Sequence, residues 1–196
     1  MSKISRRSLL RTSSLGLTAA LLTACTVTTQ NGVTTITLDV AKIKNYGQAG
    51  LNAAATVGSF LSGFPTLAPY AAAIELADTA LSGALTAFST AAGSTLVITY
   101  NDANWKTRID SLLTDLNKVG DAIEGAISGS GSVLSAKVLS EAKTYKNALA
   151  TLISVFQGLL GVSDATAPAN SAMIRTGAPH PITGMTEAQA LEVLGV

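Results

Sequence analysis

The side chains that most often perform chemistry near neutral pH are scarce in this sequence. Histidine occurs once, as His180 between Pro179 and Pro181. A Ser-His-Asp triad needs a histidine oriented by a second hydrogen bond, and a di-metal helical bundle needs Glu-x-x-His pairs facing its core. No such pair occurs, and a histidine flanked by prolines is typical of a solvated loop. We therefore expect neither an enzyme nor a metal site.

The acidic residues and glycines also lack the spacing of a known site. The carboxylates of the helical segments mostly fall away from the apolar stripes, as solvated residues do: Asp110, Asp115, Asp121, Glu124 and Glu141. The sequence singles out no pair of them for glycoside hydrolysis. Gly125, Gly129 and Gly131 are not followed by the Lys and Ser or Thr of a phosphate-binding loop. We expect no nucleotide and no cofactor.

The charge balance argues against nucleic-acid binding. The chain has 13 basic and 12 acidic residues, but four of the basic ones (Lys3, Arg6, Arg7 and Arg11) lie within the first 24 positions. The remainder has a net charge of about −3, with basic and acidic residues intermixed. Nucleic-acid binding normally requires a basic patch or stripe. We therefore expect no DNA or RNA partner.

Positions 1–24 are typical of a secretory signal. A basic segment, Ser5-Arg6-Arg7-Ser8-Leu9-Leu10-Arg11, precedes an uncharged stretch that ends in Leu22-Thr23-Ala24-Cys25. A basic start, a short apolar middle and a small residue before the cut define such signals. About a dozen apolar residues are too few to span a bilayer, which needs roughly 20.

Two motifs in this segment resemble those of exported bacterial lipoproteins. Arg6 and Arg7 with the following leucines resemble the twin-arginine export motif S-R-R-x-F-L-K, with Leu9 for Phe and Arg11 for Lys. The tetrad ending in Cys25 resembles the lipobox. This resemblance implies cleavage before Cys25 and acyl chains on its sulfur, with no thiol left for redox, metal or nucleophilic chemistry. The competing interpretation is a buried cysteine in a helix beginning at Ser8.

The same resemblance implies a location in the bacterial cell envelope. The chain would face the periplasm or the cell surface, anchored by the acyl chains on Cys25. Thr26, rather than Asp, after the cysteine resembles the context of outer-membrane lipoproteins.

After the cysteine, the sequence predicts a small β element. Residues 26–38 alternate β-branched and polar side chains around Asn31-Gly32, the pair favoured in type I′ hairpin turns. A flexible tether is the other interpretation of residues 25–38. A second strand-like run, residues 94–100, is expected to pair with the hairpin.

From Asp39 onward, apolar residues recur at helical spacing in four segments. The first stops at Gly63-Phe64-Pro65, the second runs from Thr66 to Gly93, the third is capped by Asp102, and the fourth ends at Gly161. Residues 128–132 form the turn between the third and fourth, with a capping serine. These spacings predict an all-α fold: an antiparallel four-helix up-and-down bundle with a minor β element.

The chain therefore divides into five segments. They are a signal (1–24), a tether or hairpin (25–38), a bundle (39–162), a Pro/Gly-rich linker (163–185) and a short C-terminal helix (186–196). Thr186 and Gln189 resemble a capping box at the start of that last helix. It is expected to dock either on the bundle or on a partner.

The first two helices are unusually poor in charge. Between Tyr46 and Tyr100 the only charged residues are Glu75 and Asp78. A helix that is weakly polar all round is normally hidden in a bundle, at a protein interface or in lipid. We expect an interaction face composed of Leu51, Val57, Leu61, Leu81, Leu85 and Phe88.

These features favour a non-catalytic, lipid-anchored envelope protein that acts as a scaffold. Its interaction face would bind either an envelope partner or a second copy of the chain. The alternative is a membrane-active protein that inserts the 46–92 helical hairpin into lipid. Glu75 and Asp78 weigh against simple spanning, because charges near a bilayer centre are costly.

Overall fold

The computed structural model describes residues 25–30, 33–131, 133–161 and 184–196. Its elements are β1 (Cys25–Gln30), β2 (Val33–Asp39), α1 (Val40–Leu61), a 3-10 turn (Pro65–Leu67), α2 (Ala68–Ala92), β3 (Val97–Thr99), α3 (Ala103–Gly129), α4 (Ala136–Leu160) and α5 (Glu187–Val193). The all-α fold with a minor β element is confirmed. Outside the described residues lie the proposed signal with Arg6 and Arg7, the Asn31-Gly32 turn, and the linker with His180.

Side-chain caps set where the helices begin. Asp39 accepts a hydrogen bond from the Lys42 amide at the start of α1, and Asp102 accepts from two amides at the start of α3, as its position predicts. The predicted capping serine within 128–132 is wrong. Helix α3 continues to Gly129, and Ser135 caps α4 by accepting from the Val138 amide.

The strands form one antiparallel sheet in the order β1-β2-β3. Gln30 lies opposite Val33 across the hairpin, and Cys25 lies opposite Leu38. Leu38 in turn lies opposite Ile98, so the run at 94–100 pairs with the hairpin as predicted. The hairpin interpretation of residues 25–38 is therefore confirmed over the tether.

Aromatic contacts show the antiparallel arrangement of the helices. Tyr46, near the start of α1, packs on Phe156, near the end of α4, with ring centroids 5.4 Å apart. Near the other end, Phe60 of α1 meets Tyr145 of α4 at 6.5 Å. Phe88 and Trp105 likewise join the end of α2 to the start of α3 at 5.9 Å. Helix α1 therefore runs antiparallel to α4, and α2 runs antiparallel to α3, as in an up-and-down bundle.

Helix α1 is the central helix because glycines on it admit side chains from its neighbours. A methyl group placed on Gly50 would lie 2.5 Å from Leu116 Cδ2 and 2.6 Å from Leu81 Cδ2. One placed on Gly47 would lie 2.7 Å from a Leu85 methyl carbon. Ten of the 22 residues of α1 are buried, against five of 25 in α2.

We expect Gly50→Ala to lower the free energy of unfolding by about 1–3 kcal/mol, because an added methyl group overpacks this site. Leu81 and Leu116 are both buried and would have to move together. The matched control is Gly83→Ala, since no described residue lies within 4 Å of an added Cβ there. Helix propensity should make that control more stable by about 0.5–1 kcal/mol. Urea unfolding monitored by circular dichroism measures both, and equal effects would contradict the packing described.

Candidate interaction surface

The apolar stripe predicted as an interaction face lies mostly in the core. Val57, Leu61, Leu81 and Phe88 are no more than 1% exposed, and Leu51 and Leu85 are half-buried against the core. As a free surface, the prediction is wrong for the four buried residues. These residues face the core because the glycines of α1 leave room for leucines of α2: Leu81 packs against Gly50, and Leu85 packs against Gly47.

No segment among the described residues covers the side of α2 that faces away from the bundle. Six exposed residues recur there at alternating steps of four and three, and we call them the outer stripe: Ala72, Leu76, Thr79, Gly83, Thr86 and Thr90. Leu76 is 74% exposed. This 3.5-residue spacing is that of a seam between two helices.

The outer stripe is uncharged along its length. The only charges on α2 are Glu75, which is exposed, and Asp78, which is half-buried. Burial, and then the negative charge of Glu75, raise the pKa of the Asp78 carboxyl. No charged residue follows until Asp102. Small and hydroxyl side chains on the outer stripe permit the close approach of another helix. Binding to the stripe also avoids the free-energy cost of removing a charged group from water.

One helical segment among the described residues is long and apolar enough to cross a membrane by length and composition. It runs from Pro65 to Ala92, and only 22% of its most apolar window is buried. Core helices of soluble proteins pass the same test, but they are mostly buried. Helix α2 therefore combines an apolar composition with a largely exposed surface.

The C-terminal helix α5 docks on α1 and α4. The Tyr46 hydroxyl donates to Glu187 Oε1 at 2.7 Å, and Lys42 Nζ lies 2.7 Å from the same oxygen. Asn52 Nδ2 donates to the Leu194 carbonyl at 2.7 Å, and Leu194 itself is 1% exposed. The sequence left open whether this helix docks on the bundle or on a partner, and in the structure it docks on the bundle. The predicted capping box of Thr186 and Gln189 is also confirmed.

Two tyrosines in this fold are held by carboxylates. Burial, and then Glu187, raise the pKa of Tyr46 well above its ordinary value. Tyr100 donates to Asp110 at 2.6 Å, and its pKa is likewise raised, first by burial and then by Asp110. A catalytic acid or base needs a pKa near the working pH. Both phenols stay protonated and act as hydrogen-bond donors that fix neighbouring segments.

The described ranges contain no group of three or more His, Cys, Asp or Glu side chains that could hold a metal ion. A groove of about 260 Å³ lies between α5 and the bundle, lined by Asn52, Thr56, Tyr145 and Val193 among others.

Asp115, expected on a solvated face, is instead 8% exposed and forms an ion pair with Lys118 at 2.9 Å.

Comparison with known proteins assigns this chain to no family. No family model, no curated protein and no solved structure matches this chain.

We expect Glu187→Gln to loosen α5, because it removes the charge that pairs with Lys42 and weakens the acceptor for Tyr46. A hydrogen bond to a charged group typically contributes about 1.5–3 kcal/mol. Hydrogen exchange at the Ala190 and Leu194 amides should become faster. Glu192→Gln, at an exposed position of the same helix, is the control and should leave exchange unchanged. Unchanged protection in Glu187→Gln would show that apolar contacts alone hold the tail.

Proposed function

We propose that this protein is a non-catalytic, lipid-anchored envelope protein that binds another protein through the outer stripe of α2. The observation that carries the proposal is the exposure of an uncharged, helix-spaced stripe on an otherwise well-packed bundle. Interface cores are depleted in charged residues relative to the rest of a protein surface. The stripe has that composition along its whole length.

The outer stripe suits a helix as its binding partner. Its residues recur at a 3.5-residue spacing, which matches the seam of two helices crossing at a shallow angle. The exposed Leu76 would supply the largest apolar contact, and Gly83 has open space above it. The partner is either an envelope protein or a second copy of this chain, as the sequence alone leaves open.

The anchor rests on the resemblance of residues 22–25 to a lipobox. Diacylation provides more than one lipid chain, and two chains hold a protein on a membrane far more firmly than one. Twin-arginine export through Arg6 and Arg7 suits a bundle of this kind, because sequential helix packing has low contact order and folds quickly.

We expect Cys25→Ser to abolish both lipidation and signal cleavage. Mass spectrometry of the membrane fraction should find acyl chains on Cys25 of the native chain and an uncleaved, unacylated precursor in the variant. Arg6→Lys with Arg7→Lys should separately retain the precursor in the cytoplasm. A processed, membrane-free form of Cys25→Ser would overturn the proposed anchor.

We expect a photo-crosslinking amino acid at position 83 to capture a protein in intact cells. The matched control is position 111, where Ser111 is exposed on α3, away from the stripe. Adding Leu76→Lys should abolish capture from position 83, because a charge would have to be desolvated within the contact. Mass spectrometry of the adduct identifies a second copy or another protein. Equal capture from both positions would contradict a specific surface.

A membrane-active function is the second candidate, favoured by the segment from Pro65 to Ala92. Insertion would require α2 to leave the bundle and to bury Glu75 and Asp78, which is costly near a bilayer centre. Dye release from liposomes by the chain without its acyl anchor would support this candidate. Intact liposomes, together with protein capture at position 83, would support the scaffold.

A further inference from the structure

Two of the most exposed large apolar side chains lie at one end of the bundle. Leu96 is 80% exposed and Val97 is 54% exposed, both at the entry to β3. Their backbone is fixed, because the Leu96 carbonyl accepts from the Val40 amide and Val97 lies opposite Asp39 in the sheet. They therefore form a rigid apolar projection.

This projection lies beside the proposed site of lipid attachment. Cys25 lies opposite Leu38 on β2, and Leu38 lies opposite Ile98 on β3. Since neighbouring strands are about 4.8 Å apart, the backbones of Cys25 and Ile98 are separated by roughly 10 Å. Val97 adjoins Ile98 and its side chain lies on the opposite face of β3, so the pairing brings the backbone at the entry to β3, and not a particular face, close to Cys25. Acyl chains on Cys25 would therefore hold this end of the sheet, which carries both exposed side chains, next to the bilayer.

We propose that Leu96 and Val97 enter the lipid surface beside the acyl chains and thereby fix the orientation of the bundle. This inference rests on the lipid anchor of the proposed function. A chain attached at one point can pivot, whereas a second rigid contact defines which end faces the membrane. The outer stripe of α2 would then extend away from the membrane, where a partner can reach it.

The charges around this end indicate that the contact is apolar. Lys106 and Arg108 in the first turns of α3 are exposed and Lys44 lies near the start of α1, but the carboxylates of Asp39, Asp102 and Asp110 lie at the same end. Mixed charges give no net attraction to anionic lipid. The contact should therefore form on uncharged phosphatidylcholine and be insensitive to salt.

The test uses the lipidated chain in phosphatidylcholine vesicles, with a polarity-sensitive fluorophore on a cysteine at position 96. Acylation of Cys25 leaves the introduced cysteine as the only thiol. The controls are Leu76→Cys, roughly 24 Å along α2 from its end at Ala92, and Val133→Cys, 37% exposed beyond the end of α3. We expect a blue shift and quenching by brominated lipid at position 96 alone, unchanged at high salt.

Equal, water-like emission at positions 96 and 133 on a chain that mass spectrometry shows to be acylated would overturn the second contact and leave the anchor standing. A chain without acyl groups would instead overturn the anchor, and the second contact with it. Quenching at position 76 equal to that at 96 would contradict the orientation and favour insertion of α2.

Discussion

The close approach permitted by Gly47 and Gly50 is the constraint on which this fold depends. Leucines of α2 and α3 occupy the space that side chains at these positions would otherwise fill. Helix α1 thereby becomes the central element, covered by the other three bundle helices, and α5 docks on it through Tyr46 and Asn52. In a chain with only 13% charged residues, such small-residue packing lets short side chains build a dense core.

The arrangement that buries α1 also leaves α2 at the edge. Because α2 uses only its inward side against α1 and α3, its outer stripe stays exposed although it carries no charge. The sheet holds the proposed anchor at the end where α2 finishes, since Cys25, Leu38 and Ile98 share one row of pairing. The packing of the helices therefore leaves the outer stripe exposed, and the sheet determines how a lipid anchor on Cys25 would orient that stripe relative to the membrane.

The sequence predicted the elements well because their signals are local. Helical spacing, the Asp102 cap, the Thr186–Gln189 box and the alternation around the hairpin each depend on residues close in the chain. The choice of exposed face was not predictable, because both sides of α2 are weakly polar and only packing distinguishes them. The tail contact from Tyr46 to Glu187 spans 141 positions. A periodic pattern of apolar residues cannot predict a contact between residues so far apart in the chain.

In the proposed function, the closed bundle binds its partner, with α2 packed against α1 and α3. The tip of the Tyr70 ring lies against Gly129, so a short reducible bifunctional reagent that joins Tyr70→Cys to Gly129→Cys across the space of that ring would clamp α2 to α3. The measurement is protein capture by a photo-crosslinker at position 83, with the clamp closed and after its reduction. We expect the same capture in both states. Capture that appears only after reduction would show that α2 must leave the bundle, and would contradict this expectation.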